Sequence, residues 1–81
     1  MGYVVKEEDS QTGEVTRRGP FVTEQEARMV LANAVEQAYD FNPQLATANV
    51  RQVVEDAVRD GRKDCVDAKG HLVCRYTVDQ E

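Results

Sequence analysis

The sequence predicts an α+β fold with the element order ββααββ, a four-stranded antiparallel sheet with two antiparallel helices packed on one face. Three observations carry that prediction. A strongly helical periodicity runs through the middle of the chain, a second one behind it ends at a glycine, and each end of the chain holds an extended pair of segments split by turn residues. With 81 residues the chain is expected to form a single domain over residues 1–81. A chain of this size buries only about 60–65% of the surface its unfolded form exposes, so one core must serve every element. Strand order is not dictated by the pattern, and two separate ribbons flanking a helix pair is the alternative arrangement.

The first hairpin is expected from Tyr3 to Arg18. Tyr3 to Glu8 carries adjacent valines, Ser10 to Gly13 supplies turn chemistry, and Glu14 to Arg18 is extended again. A type I turn with Gly13 left-handed would set Ser10 opposite Glu14, pairing Tyr3 with Phe21, Val5 with Gly19 and Glu7 with Arg17. That register gathers Tyr3, Val5, Val15 and Phe21 on one face and leaves Val4, Lys6, Glu8, Thr16 and Arg18 on the other. Pro20, which has no N–H to donate, is expected to end the pairing.

The first helix is expected over Thr23 to Tyr39. Ala27, Val30, Leu31, Ala34, Val35 and Ala38 recur at steps of three and four and form one dry stripe. Thr23 and Glu26 have the spacing of a capping box, with Val22 and Ala27 placed as a hydrophobic staple. The second helix is expected to start either at Asn42, with Pro43 in its first turn, or at Thr47. Its body carries Ala46, Val50, Val53, Val54, Ala57 and Val58, and Gly61 stands where a left-handed cap belongs. Arg51 with Glu55, and Glu55 with Arg59, lie four apart on the wet side.

The last segment, Lys63 to Asp79, reads as a hairpin around Asp67-Ala68-Lys69-Gly70. Asp first and Gly fourth favour a type I turn with a glycine bulge, pairing Asp67 with His71 and Val66 with Leu72. A tighter Lys69-Gly70 turn would instead set Cys65 opposite Cys74. Asp79 to Glu81 is expected to fray.

The chain has no apolar run of the roughly 18–20 residues a bilayer requires, and its first residues lack the basic-then-apolar order of a secretory signal. No membrane association and a cytoplasmic location are expected. Cys65 and Cys74 then read as small core residues. With His71, Asp64 and Asp67 they do not make a recognisable metal-ligand spacing, so no metal and no cofactor is expected.

Catalysis needs a nucleophile beside a base, and the lone histidine, His71, falls at a turn. The carboxylates have no reason to be buried, and Gly19, Gly61 and Gly70 are each explained by a turn or a cap. The protein is therefore expected not to be an enzyme, with no catalytic residues. For nucleic acid, only residues 50–63 carry more basic than acidic groups; the candidate set there is Arg51, Arg59, Arg62 and Lys63, joined by Arg17 and Arg18 if the fold brings them together. Glu55, Asp56 and Asp60 in the same helix would face phosphates, so direct nucleic-acid binding is the weaker expectation.

A protein partner is the stronger one. The net charge is −5, from 15 acidic and 10 basic residues. Around the first helix Glu24, Glu26, Glu36 and Asp40 outweigh Arg28, and the preceding strand adds Glu7, Glu8 and Asp9. Met29 points away from the dry stripe with Ala32 beside it, and Tyr39 and Phe41 stand at the helix end. Glu24, Arg28, Met29, Glu36, Tyr39, Asp40 and Phe41 are the candidate partner-binding residues, suited to a basic or nucleic-acid-handling protein. A homodimer formed through a sheet edge or the helix surface is a further possibility.

In size, acidity and lack of catalytic groups the chain resembles, as a class and through no shared motif, the small proteins with which phages and mobile elements block host nucleic-acid machinery, CRISPR inhibitors and DNA mimics among them. That likeness implies a non-enzymatic inhibitor that works by occupying a surface.

Overall fold

A computed structural model of the chain describes residues 2–45 and 49–81. The elements follow the expected order: β1 (Tyr3–Asp9), β2 (Val15–Phe21), α1 (Glu24–Phe41), α2 (Val50–Asp60), β3 (Arg62–Val66) and β4 (Leu72–Gln80). All four strands join one antiparallel sheet in the order β2-β1-β4-β3, so the arrangement as two separate ribbons does not occur. β1 and β4 occupy the centre, and β1 pairs along its whole length with β4, from Tyr3 opposite Gln80 to Asp9 opposite Cys74. The order has a physical basis. β1 and β4 supply Val5, Val73, Cys74 and Tyr76 to the core, whereas β2 is exposed up to Phe21 and holds Pro20, which suits an edge.

Because β4 runs beside β1 to its end, the C-terminus does not fray as expected. Asp79 and Gln80 lie in the strand, and the Glu81 N–H donates to the Gly2 carbonyl at 2.8 Å.

The first hairpin is slipped by one residue from the expected register. Asp9, not Ser10, faces Glu14: its N–H donates to the Glu14 carbonyl at 2.9 Å, and its carboxylate accepts from the N–H groups of Gln11 and Thr12. Ser10 is drawn to β4 instead, with its N–H and hydroxyl both donating to the Val73 carbonyl. Val5 consequently pairs with Arg18, Glu7 with Thr16 and Glu8 with Val15. A one-residue slip sends side chains to the opposite face, so Val15 stands outside, 52% exposed, with Lys6, Glu8 and Arg17. Pairing does not end at Pro20. A bulge at Gly19-Pro20 absorbs the extra residue and restores Tyr3 opposite Phe21. Gly19 is required there: its φ is 118°, and a Cβ would stand 3.0 Å from the Tyr3 carbonyl oxygen.

Helix α1 starts as its sequence implies, with the Thr23 side chain accepting from the Glu26 N–H at 3.1 Å. The staple does not close, since Val22 is 82% exposed. Ala27, Leu31, Ala34 and Val35 are buried, and Val30 and Ala38 pack against the same core. Ala32 is a correction: expected beside Met29 on the outside, it is 2% exposed. It lies one turn beyond Arg28, on the flank of α1 that α2 covers, so two walls rather than one dry the helix.

Asn42 closes α1 and does not open the second helix: its N–H donates to the Ala38 carbonyl at 2.9 Å. The cap of α2 is Asn49, whose side chain accepts from the Gln52 N–H, while Thr47 and Ala46 lie outside the described residues. Val53 and Ala57 are buried, and Gly61 caps the helix at φ 67° as expected. Arg51 pairs with Glu55 at 3.5 Å, but Arg59 turns to Asp56 and Asp60 instead of Glu55.

The second hairpin contains both pairings that the sequence left as alternatives. The Asp67–Gly70 turn sets Val66 opposite Leu72, and a bulge that leaves Val73 as the extra residue then brings Cys65 opposite Cys74. Val73 enters the core together with Cys74.

Candidate partner-binding surface

The placement of the two helices determines which surfaces remain open. α1 contacts all four strands, whereas α2 contacts only α1 and β3. The flank of α1 away from α2, and the β1–β2 half of the sheet below it, therefore have no second helix over them. The far face of the sheet is a ladder of charge. Lys6 meets Asp79 at 3.0 Å and Arg75 meets Asp64 at 2.8 Å, a contact that holds the Asp64 carboxyl below the usual carboxylate range.

On α1 the outward residues Met29, Asn33, Glu36 and Asp40 follow one another at steps of four, three and four, and all are exposed. Glu26 lies beside this stripe. Met29 is 48% exposed, so the stripe joins an apolar side chain to two carboxylates, with Glu26 at its side as a third. The helix has one basic residue, Arg28, and it points elsewhere. Its guanidinium donates to the carbonyls of Val58, at 3.0 Å, and Arg59, and to the Glu24 carboxylate at 2.9 Å. Arg28 thus closes the C-terminal end of α2 from across the helix pair, and Glu24 steadies it. Both were candidates for the partner surface; Arg28 is used to join the helices, while Glu24 stays exposed and pairs with it one turn away.

Tyr39 is likewise turned inward. It packs against the core, and burial followed by the nearby Cys65 thiol pushes its pKa up to about 12. Cys65 and Cys74 are buried free thiols paired across β3 and β4, and the neighbouring thiol together with burial pushes the Cys65 thiol up. Burial also raises Tyr76. A group whose pKa is raised on folding stabilises the protein below its unfolded value and loses that contribution as pH rises above it. Cys74, held below the usual thiol value by its contact with Cys65, works against Cys65, so the melting temperature is expected to fall above about pH 10, where unfolded tyrosines ionise while Tyr39 and Tyr76 hold their protons. Thermal melts between pH 7 and 11 check this; a level melting temperature would contradict it.

Phe41, at the end of α1, remains 83% exposed. It borders a hollow of about 290 Å³ between the helix terminus and the Asp9 end of β1, with Glu7 and Asp9 on one wall and Val73, Cys74 and Tyr76 on others. The strand alternation puts Glu7 and Asp9 on one face, but their meeting with Phe41 and Tyr76 depends on three separate elements. Only the acidity of β1 hinted at it in the sequence.

The candidate nucleic-acid residues do not form one patch. Arg17 and Arg18 lie on β2, while Arg62 and Lys63 lie on β3 at the opposite edge, three strand spacings or roughly 14 Å away. Arg51, Arg59 and Arg62 are each paired with carboxylates of α2 or β3, and Lys63 is half-buried. Among the described residues no polar or charged side chain is buried, apart from the tyrosine and cysteines of the core, and no three His, Cys, Asp or Glu residues converge as a metal ion would require. His71 is exposed beside Asp67. No helix among the described residues is long and apolar enough to cross a membrane.

Fold and surface together define a small α+β domain whose outward features are charge and a few apolar side chains. Comparison with protein-family models, curated proteins and solved structures finds no match.

Proposed function

We propose that this protein is a non-enzymatic binding protein that acts by occupying a positively charged surface of a larger protein or protein–nucleic acid complex. The observation that carries the reading is the outward stripe of α1. It presents Met29, Glu36 and Asp40 with Glu26 at its side, while the helix's one cation is withdrawn to clamp α2. An acidic helix face around an exposed methionine suits a basic partner, since the charges steer the encounter and the methionine supplies adaptable apolar contact. Inhibition by occupancy, of the kind that phage and mobile-element proteins exert on nucleic-acid machinery inside the cell, is the form of action this surface fits.

The test is capture of partners by the tagged protein from nuclease-treated lysate of its source cells, compared with a Glu36→Lys/Asp40→Lys variant. Loss of at least about nine-tenths of the captured partner is expected, a tenfold change corresponding to about 1.4 kcal/mol spread over two reversed charges. Equal capture by both proteins would remove the reading. A self-pairing chain is disfavoured at the β2 edge, because Arg17, Arg18 and the Gly19-Pro20 bulge would confront their own copies there.

A further inference from the structure

The hollow beneath Phe41 has a character that the α1 stripe lacks, since it combines a cavity, carboxylates and aromatic rings. Its volume of about 290 Å³ falls at the bottom of the range for small-molecule pockets, which suits one long side chain better than a free ligand. Glu7 and Asp9 line it. Asp9 spends one carboxylate oxygen, Oδ1, on the N–H groups of its own loop, while Glu7 has the Tyr76 hydroxyl beside it and the Arg18 guanidinium 3.9 Å away.

The end of α1 adds to the negative potential. A helix C-terminus carries partial negative charge that lysine or arginine in the last turn normally offsets. α2 follows that rule, with Arg59 in its last turn and Arg28 reaching its carbonyls. α1 breaks it, with no basic residue in its last turn, Asp40 there instead, and Glu7 and Asp9 facing its end. Phe41 stands over this point with its ring in water, while Val73, Cys74 and Tyr76 supply an apolar floor. Carboxylates at the mouth, a ring face beside them and an apolar floor are the requirements of a cation on a hydrocarbon stem. A neutral apolar side chain would strip water from Glu7 and Asp9 without pairing them, which is costly.

We propose that this hollow seats a lysine or arginine side chain of the protein partner, an inference that rests on the reading of the protein as a binder of basic surfaces. The cation lies between the Glu7 and Asp9 carboxylates and the Phe41 ring, with its stem along Tyr76 and Val73.

The experiment is an NMR titration of the ¹⁵N-labelled full chain with N-acetyl-arginine amide and N-acetyl-lysine amide, with N-acetyl-citrulline amide as the uncharged isostere. Saturable shifts are expected at the amides of Glu7, Asn42, Val73 and Cys74 with at least one of the cations and none with citrulline. Phe41→Ala and Glu7→Gln should each weaken binding by about threefold to tenfold. Phe41 is exposed and glutamine keeps the shape of glutamate, so both variants should fold, and their amide spectra report it. Shifts that fail to saturate, that citrulline reproduces, or that spread evenly to Glu14, Glu26 and Glu55 would overturn the proposal. If the hollow is silent while capture still depends on Glu36 and Asp40, the hollow alone is refuted; if capture too is indifferent to those residues, the wider reading falls with it.

Discussion

Leu31→Ala is expected to lower the stability of the fold by about 3–5 kcal/mol, enough to leave the protein largely unfolded at growth temperature. Leu31 has no exposed surface and is the largest of the fully buried side chains. It sits midway along α1, the element that touches every strand, so the void left by truncation borders the centre of the core. The helix beneath it cannot move inward to fill that void without dragging its contacts with α2. An 81-residue domain is stable by roughly 4–12 kcal/mol in all, so a single cavity of this kind removes much of the margin. Leu31→Met, which nearly conserves volume, should cost under about 1.5 kcal/mol. Urea denaturation of the two variants checks the contrast; a Leu31→Ala midpoint close to that of Leu31→Met would contradict the core described here.

Arg28→Ala is expected to cost about 2–3 kcal/mol, unusual for a helix-surface charge. Exposed ion pairs contribute at most about 1 kcal/mol, so the Glu24 contact alone does not explain such a figure. The larger share comes from the carbonyls of Val58 and Arg59, which receive charged hydrogen bonds from Arg28 across the helix pair. Removing the donor leaves those carbonyls to find water in the narrow space beside Gly61, where a Cβ would stand 3.2 Å from the guanidinium. Arg28→Lys should recover only part of the loss, because an ammonium lacks the planar fork that serves two acceptors and a carboxylate together. Glu24→Gln, by comparison, should cost well under 1 kcal/mol. Equal losses for Arg28→Ala and Glu24→Gln in thermal melts would show that the clamp is not what holds the helices together.

These two residues mark the limit of what was legible in the sequence. Leu31 was visible as core because its periodicity is local, and the same holds for the Thr23 cap, the Gly61 cap and the Asp67–Gly70 turn. Each is a contact between residues within about four positions. Most of the misreadings are long-range, although the open Val22 staple and the Asn42 cap are local. Ser10 leaves its expected place in the hairpin because its bonds go to β4, more than sixty residues away. Val73 bulges where a uniform ladder was expected, and Asn42 looked like the start of one helix while ending another. Arg28 and Tyr39 read as surface groups because nothing local reveals that α2 and the cysteine pair lie against them, whereas Glu24 is exposed as its position implies. Pro20, read as the end of the pairing, lies inside β2, where a proline is tolerated because β2 is an edge. Of the hollow under Phe41 only the parts were visible, the acidity of β1 and Phe41 itself, because β1, α1 and β4 must come together to form it.

The claim on which the functional account depends is that the outward, carboxylate-bearing face of α1 meets a basic partner. Its most direct test is the dissociation constant of the captured partner, measured by calorimetry across a salt series for the native protein and for Glu36→Lys/Asp40→Lys. The account predicts affinity that weakens steeply with salt in the native protein, and at least about tenfold weaker binding with a much flatter salt dependence in the variant. Identical affinities and identical salt slopes for the two proteins would contradict it.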